Sequence, residues 1–157
     1  MTLPSIFRSM NLIMSEVQIS EMLQTNEESQ KNGLTLTTED AKEIIEARNH
    51  TLQSYGRVEL DIEVSKKLIR SFCNSPFINQ EDYATTLKEL QEVFYYMKNE
   101  TEDKIADDEL IEIIRDYFDN YCEGSIELLQ GRELEAFARA VRRKNQLTDL
   151  FMEGEGY

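Results

Sequence analysis

The sequence has little of what most catalytic and cofactor sites require. Its 157 residues include one histidine, two cysteines, two prolines, six glycines and no tryptophan. Any Ser-His or Cys-His pair would have to use His50, and no GxSxG turn is present to carry a nucleophile. The scattered glycines form neither a GxGxxG motif nor a GxxxxGK phosphate cradle. We therefore predict that the protein is not an enzyme and holds no cofactor.

Cysteines and long apolar runs are equally scarce. Cys73 and Cys122 are too far apart for a CxxC metal site and too few for a disulfide framework, so we expect two buried, reduced thiols. No apolar run approaches the roughly 18 residues that a membrane span needs. These absences predict a cytoplasmic protein that does not bind a membrane.

Acidic residues dominate the charge. The net charge is −14, and the stretch from Glu100 to Glu127 holds eleven acidic residues against Lys104 and Arg115, a local net charge of −9 (eleven minus two). Direct nucleic-acid binding is disfavoured, because Lys and Arg must neutralise phosphates. One basic cluster stands apart, and we expect it in the last turns of the sixth helix, where cations complement the helix dipole: Arg132, Arg139, Arg142, Arg143 and Lys144.

Length and composition predict one folded domain. A hydrophobic share of 40% is too high for a disordered acidic chain, and 157 residues fit a single core. We predict an N-terminal arm at residues 1–14, a helical domain at residues 15–150 and a flexible C-terminal tail at residues 151–157.

Hydrophobic periodicity predicts about six helices, and the fold class is therefore all-α. Gly33, Gly56 and Gly124 stand where the period lapses, as glycines at helix C-termini do. Five helices are expected to begin near Ser15, Thr37 or Thr38, Glu63, Asn79 and Asp107, and a sixth is expected to carry the stripe Leu134, Phe137, Ala138 and Val141. The clearest apolar stripe belongs to the fourth helix: Tyr83, Leu87, Leu90, Phe94 and Met97.

One segment has the period of a strand. Val58, Leu60 and Ile62 alternate with charged residues, which is typical of a half-buried strand. The short alternating piece at residues 34–37 is the expected partner. The sequence thus leaves open one short two-stranded β ribbon within the helical domain.

The acidic stretch also contains a degenerate EF-hand frame beginning at Asp119. Tyr121 and Gln130 occupy its third and twelfth positions, where calcium requires oxygen ligands that include a bidentate Glu. The simpler interpretation is that Gly124 ends one helix and Ser125 caps the next. We therefore predict no metal site.

Two sets of residues are candidates for a contact surface with a partner. Tyr95 and Tyr96 add aromatic side chains beyond the apolar stripe of the fourth helix, which indicates either burial on a second side or an aromatic contact site. Glu112, Asp116 and Asp119 lie beyond the first turn of the fifth helix, so the helix dipole does not explain them. These five residues form the predicted interaction surface.

Several blocks of the sequence resemble a family of short bacterial proteins that is catalogued only as a domain of unknown function. The resemblance extends from Gln18 to Arg143, and its most specific blocks are FYYMKNE and DDELI. It implies one compact cytosolic domain and brings no activity or ligand with it. The other blocks are NGLTLTTEDAKEIIEARN, YGRVEL, SFCNSPFINQEDYATTLKELQ and CEGSIELL.

Together these features favour a protein-interaction or regulatory module with an acidic surface. Its expected partner is another protein, with a basic surface as one option. Two alternatives stay open: an acidic mimic of nucleic acid that occupies a basic protein site, and a divalent-cation module built on the degenerate EF-hand frame. The sequence does not specify an oligomeric state.

Overall fold

The computed structural model describes the backbone of residues 15–155 and the side chains of residues 15–131 and 134–144. No β-strand occurs in this described range, so the all-α prediction is confirmed and the optional β ribbon is not formed. Six helices have ten or more residues, as predicted: α1 (residues 15–24), α3 (Thr38–Ser54), α4 (Glu63–Phe72), α5 (Tyr83–Glu100), α6 (Asp107–Asp116) and α8 (Leu134–Glu155). Two short helices are α2 (Asn26–Ser29) and α7 (Ile126–Leu128).

Within the described residues the packing divides into two compact units, residues 15–92 and residues 93–155, and α5 contributes residues to both. The predicted arm at residues 1–14 lies outside the described residues. At the other end α8 continues to Glu155, so residues 151–155 of the predicted tail are helical.

Local signals explain where the helices of the first unit begin and end. Thr37 forms a capping box with Asp40: the Thr37 Oγ1 accepts from the Asp40 N–H at 3.0 Å, and Asp40 Oδ2 accepts from the Thr37 N–H at 2.9 Å. Gly33 and Gly56 adopt φ of 78° and 65°, the left-handed conformation that follows many helices. The predicted helix start at Asn79 is too early, because Asn79 caps a turn and α5 begins at Tyr83.

The core of the first unit contains the residues that the periodicity predicted. The following residues of α3, α4, α5 and the segment 34–37 are buried in it: Ala41, Ile44, Ile45, Leu52, Leu68, Ile69, Phe72, Tyr83, Leu87, Leu90, Leu34 and Leu36. A polar contact joins three of these helices: the Gln91 amide donates to the Ile44 carbonyl at 3.2 Å and accepts from the Ser65 hydroxyl. Because all three residues are buried, this contact fixes the relative rotation of the helices without leaving a polar group unsatisfied.

In the optional β ribbon, side chains bind main-chain groups of both segments in place of a ladder partner. Asn26 and Gln80 each bind both the N–H and the C=O of one residue in the segment 34–37. In residues 57–62, the guanidinium of Arg48 binds two main-chain carbonyls. Thr35 and Leu36 therefore need no ladder partner, and in residues 57–62 the carbonyls of Glu59 and Asp61 are taken by Arg48.

The second unit buries one face of α6 and part of α8. Buried residues include Leu110, Ile114, Phe118, Leu134 and Ala138. A π-helical turn, Tyr117–Tyr121, extends α6. Four residues of the basic cluster lie within α8 and not in its last turns, since that helix continues to Glu155, and Arg132 precedes the helix. Arg142 of this cluster donates to the Glu100 carbonyl at 2.7 Å and to the Glu100 carboxylate at 2.8 Å, which satisfies the C-terminal end of α5.

Candidate interaction surface

Two large aliphatic side chains project from the first unit into solvent. Val58 is 87% exposed and Leu60 is 77% exposed, whereas Ile62, the third member of the alternating run, is buried. All three belong to the irregular segment between α3 and α4, here called the 57–62 loop. The half-buried strand that the sequence left open is therefore not formed, and the loop buries one aliphatic side chain while it exposes two.

Arg48 holds this loop in place. Its Nη2 donates to the main-chain oxygens of Glu59, at 2.7 Å, and of Asp61, at 2.5 Å. Its Nη1 donates to Asn49 Oδ1 at 2.7 Å. Arg48 lies on the buried stripe of α3 and is only 3% exposed. A charged donor on a rigid helix thus fixes the two carbonyls that flank Leu60.

A concave pocket adjoins the loop. It has a volume of about 430 Å³ and lies between the last turns of α3 and the start of the loop. Leu52 gives it a buried apolar base, and Val58 stands at its edge. The remaining lining residues are polar or lack a side chain: Arg48, Asn49, Gln53, Gly56, Arg57 and Glu59. The pocket therefore combines an apolar base with two cationic side chains.

Main-chain groups of the loop are also available. In the described part of the chain, the N–H and C=O of Val58 and the N–H of Leu60 form no hydrogen bond. The Leu60 carbonyl accepts from the Gln18 amide at 3.4 Å. Because Val58 is so exposed, its main-chain groups can bind water or another chain.

The predicted tyrosine surface is divided by the structure. Tyr95 is 1% exposed and its ring meets Phe94 edge to face, with ring centroids 5.0 Å apart. The sequence left open whether this pair is buried or forms an aromatic contact site. Tyr95 is buried and is therefore not available to a docking partner. Tyr96 is partly exposed.

The predicted acidic residues differ in their surroundings. Asp119 Oδ2 pairs with Arg115 Nε at 2.5 Å, one helical turn away. Asp116 is exposed and accepts from the Asn120 amide at 2.6 Å. Glu112 is exposed, and no Lys or Arg side chain in the described residues pairs with it. The structure thus keeps Glu112 and Asp116 on the surface and neutralises Asp119.

The degenerate EF-hand frame is occupied by helical turns. Gly124 has φ of 82°, and the Ser125 hydroxyl accepts from the Leu128 N–H at 3.2 Å, so Ser125 caps α7 as the sequence predicts. Asp119, the first position of the frame, is bound by Arg115. Among the residues that the structure describes, no group of three or more His, Cys, Asp or Glu side chains is arranged to hold a metal ion.

The sequence pattern does not reveal that the 57–62 loop exposes two aliphatic side chains. The alternation of Val58, Leu60 and Ile62 was visible, but it does not say which side chains are buried. The signal that would have helped is Arg48, a cation on the apolar stripe of α3, because a buried arginine requires carbonyl or carboxylate acceptors nearby. His50 is exposed, in agreement with its position off that stripe.

Comparison with known proteins identifies a family and no characterised relative. A model of the family of unknown function DUF6323 matches residues 21–147 of the chain. No curated protein and no solved structure gives a significant match. Within the described residues, each helix is either too short or too polar to cross a lipid bilayer.

Proposed function

Since the chain belongs to the family of unknown function DUF6323, we propose its function from its surface: it is a cytoplasmic protein-interaction module. Its contact site is the 57–62 loop together with the adjoining pocket. The site displays two aliphatic side chains and main-chain hydrogen-bonding groups, and two arginines, the buried Arg48 and the partly exposed Arg57, line its pocket. This combination is typical of surfaces that recognise other proteins.

The observation that carries the proposal is the fixed exposure of Val58 and Leu60. Leaving an aliphatic side chain in water forgoes roughly 1.5–3 kcal/mol of hydrophobic stabilisation. A loop that was free to turn would bury such side chains against its own domain. Arg48 prevents this by binding the carbonyls of Glu59 and Asp61. The energy forgone in the free protein becomes available when a partner covers the two side chains.

The test compares partners captured from the source cell by three proteins. The wild type is compared with a Val58→Ser, Leu60→Ser double variant and with Leu128→Ser, a control that changes an exposed leucine of the second unit. We expect the double variant alone to lose a partner, and the purified partner to repeat this pattern. If the double variant captures every partner that the wild type captures, the loop is not the contact site.

A second contact surface is favoured by the exposed carboxylates of α6. Glu112 and Asp116 lie one turn apart on the surface, and the described chain offers neither of them a Lys or Arg partner. Like charges at this spacing disfavour the helix slightly, which is consistent with recognition by a basic protein. The nucleic-acid mimic is the special case in which that basic protein site binds DNA or RNA. The cation module has less support, because Arg115 already binds Asp119.

Salt dependence distinguishes the two surfaces. Binding through Glu112 and Asp116 should weaken steeply with ionic strength and be lost in a Glu112→Gln, Asp116→Asn variant. Binding through Val58 and Leu60 should change little with salt. A partner that responds to neither pair of substitutions would exclude both surfaces.

A further inference from the structure

We infer that the pocket beside the 57–62 loop binds an extended peptide segment of the partner, in which an aliphatic side chain stands next to a carboxylate group. This inference rests on the proposed function and names the chemistry of the partner. The carboxylate belongs either to an Asp or Glu side chain or to the C-terminus of the partner chain. Three features of the site support it: its charge, its apolar base and its free main-chain groups.

Charge complementarity argues for the carboxylate. Arg48 is buried at the pocket, and none of the described Asp or Glu side chains lies within salt-bridge distance of it. Neutral oxygens from Asn49, Glu59 and Asp61 are its acceptors. Burying a cation without an opposite charge is costly, so a carboxylate in the pocket would recover part of that cost.

The composition of the lining points the same way. Arg48 and Arg57 line the pocket against one acidic residue, Glu59. This local excess of positive charge contrasts with the net charge of −14 of the whole chain. An anionic ligand is therefore attracted to the pocket and repelled by most of the remaining surface. The contrast in charge therefore favours binding of an anionic ligand at the pocket over binding elsewhere on the surface.

The apolar and main-chain groups argue for a peptide. Leu52 at the base and Val58 at the edge offer contacts for one aliphatic side chain. The N–H and C=O of Val58 and the N–H of Leu60, which bind nothing in the described chain, can pair with the main chain of an extended segment. Affinity would then come from main-chain bonds, and specificity from the pocket.

The shape of the site is less suited to a small molecule. Small-molecule sites usually enclose 70–90% or more of the ligand surface. The pocket opens to solvent beside the loop, and the exposed side chain of Leu60 lies beyond its lining. A segment that runs along the loop can contact both Val58 and Leu60, whereas a compact ligand in the pocket reaches only Val58. The exposed leucine is thus explained by a peptide.

The experiment uses an array of fluorescein-labelled synthetic octapeptides and measures anisotropy with the full chain. Each peptide carries two aliphatic residues and one carboxylate, placed as Asp, as Glu or as a free C-terminus. Each has a matched peptide in which Asn, Gln or a C-terminal amide replaces the carboxylate. We expect a subset of the carboxylate peptides to bind, and their amide counterparts to bind about tenfold or more weakly. The position of the carboxylate distinguishes its two sources.

Variants locate the binding site. Val58→Ser and Arg57→Gln should each weaken the best peptide by about tenfold, while Leu128→Ser should leave its affinity unchanged. Arg57 is chosen in place of Arg48 because loss of Arg48 would also release the loop. Equal binding of carboxylate and amide peptides, or unchanged binding by Val58→Ser, would overturn the inference.

Comparing peptide binding with partner capture separates this inference from the proposed function, and ultracentrifugation and vesicle binding test two other occupants of the site. If partner capture depends on Val58 but no carboxylate peptide binds, the inference fails and the proposed function stands. A dimer that Val58→Ser dissociates in analytical ultracentrifugation would identify a second copy of the chain as the occupant and overturn the peptide inference. Val58-dependent binding to phosphatidylglycerol vesicles would overturn both.

Discussion

The side-chain amide of Gln80 binds the main chain of Thr35 through two hydrogen bonds, as a neighbouring β-strand would. The Thr35 N–H donates to Gln80 Oε1 at 2.8 Å, and Gln80 Nε2 donates to the Thr35 carbonyl at 3.0 Å. Asn26 binds the next residue, Leu36, in the same way at 2.8 and 2.9 Å. Two amide side chains thus satisfy consecutive residues of a segment that belongs to no sheet.

Removing this amide should destabilise the first unit. We expect Gln80→Ala to lower the free energy of unfolding by about 1–2 kcal/mol, since each of the two hydrogen bonds contributes roughly 0.5–1.5 kcal/mol and the site is partly hydrated. Chemical denaturation measures the change. Glu81→Ala, at the exposed neighbouring position, is the control and should have little effect. Equal effects of the two substitutions would show that the paired hydrogen bonds contribute nothing.

The sequence predicts the burial pattern of residues 34–37 but not how the segment is held. Leu34 and Leu36 are buried and Thr35 is exposed, as the alternation indicates. The partner cannot be read from the alternation, because a main-chain donor or acceptor is satisfied equally well by a strand or by an amide side chain. The amides of Asn26 and Gln80 reach the segment from 10 and 45 residues away in sequence.

Tyr83 should make stability depend on alkaline pH. It lies in the core, and burial is the main cause that raises its pKa to about 12, with the nearby Ser29 hydroxyl opposing the shift and Cys73 adding to it. An unfolded tyrosine titrates near pH 10. Between about pH 10 and pH 12 the unfolded chain loses this proton while the folded chain keeps it, so stability should fall by on the order of 2 kcal/mol.

The matched variant for this effect is Tyr83→Phe. In the wild type the Tyr83 hydroxyl is buried and makes no hydrogen bond of ordinary geometry. Removing this hydroxyl should therefore leave the free energy of unfolding at neutral pH unchanged or slightly higher. The decrease across the alkaline window should become smaller in Tyr83→Phe than in the wild type, as measured by urea unfolding at a series of pH values. Parallel pH profiles for the two proteins would show that Tyr83 titrates normally.

A turn after α5 carries backbone strain that a glycine should relieve. Glu102 has φ of 57°, and the N–H groups of Glu102 and Asp103 bond to the carbonyls of Asn99 and Lys98, the pattern in which glycine usually takes the left-handed position. Glu102→Gly should raise the free energy of unfolding by up to about 1 kcal/mol, because it removes this strain and a negative charge near the helix C-terminus.

The same substitution inside a helix is the control for Glu102→Gly. Glu112 is exposed within α6, and Glu112→Gly should cost about 1 kcal/mol from lost helix propensity. Opposite signs for the two changes, measured by thermal unfolding, would confirm the conformational cause. A loss of stability in both variants would contradict it.

The two kinds of carboxylate on α6 and its extension should respond differently to neutralisation. Arg115 and Asp119 are only partly exposed, so Asp119→Asn should cost about 0.5–1 kcal/mol by removing their ion pair. Glu112→Gln should leave stability unchanged or raise it by a few tenths of a kcal/mol, because it ends repulsion from Asp116. Denaturation at low and high salt checks both, and the ion-pair effect should shrink at high salt.

The sequence identified the helices better than it identified the surface, and the reason is physical. Helical period depends on neighbours within one turn, so the stripe that contains Leu87, Leu90 and Met97 was predictable and is buried. Exposure of Val58 and Leu60 depends instead on which side chain binds the loop carbonyls. That contact joins residues 11 and 13 positions apart through a guanidinium, and no periodicity encodes it.

Loss of Arg48 should release the 57–62 loop before it unfolds the domain. Arg48→Met keeps a long apolar side chain in the core but removes the donors to Glu59 and Asp61. We expect Arg48→Met to lower the free energy of unfolding by about 2–4 kcal/mol, because hydrogen bonds from a charged donor are stronger than those from a neutral donor. The freed carbonyls recover only part of this free energy by binding water. Backbone ¹⁵N relaxation should show order parameters of the loop falling from a rigid value near 0.85 toward the flexible range below about 0.6.

The control for this change is Arg70→Met, which removes an exposed arginine of α4 that pairs with Glu28 at 3.3 Å. It should alter neither the order of the loop nor the capture of a partner.

A released loop can bury Val58 and Leu60 against its own surface, so Arg48→Met should also weaken capture of a partner that depends on these two residues, even where the domain remains folded. If the loop stays ordered in Arg48→Met, another contact fixes it, and the exposure of the two aliphatic side chains needs a different cause.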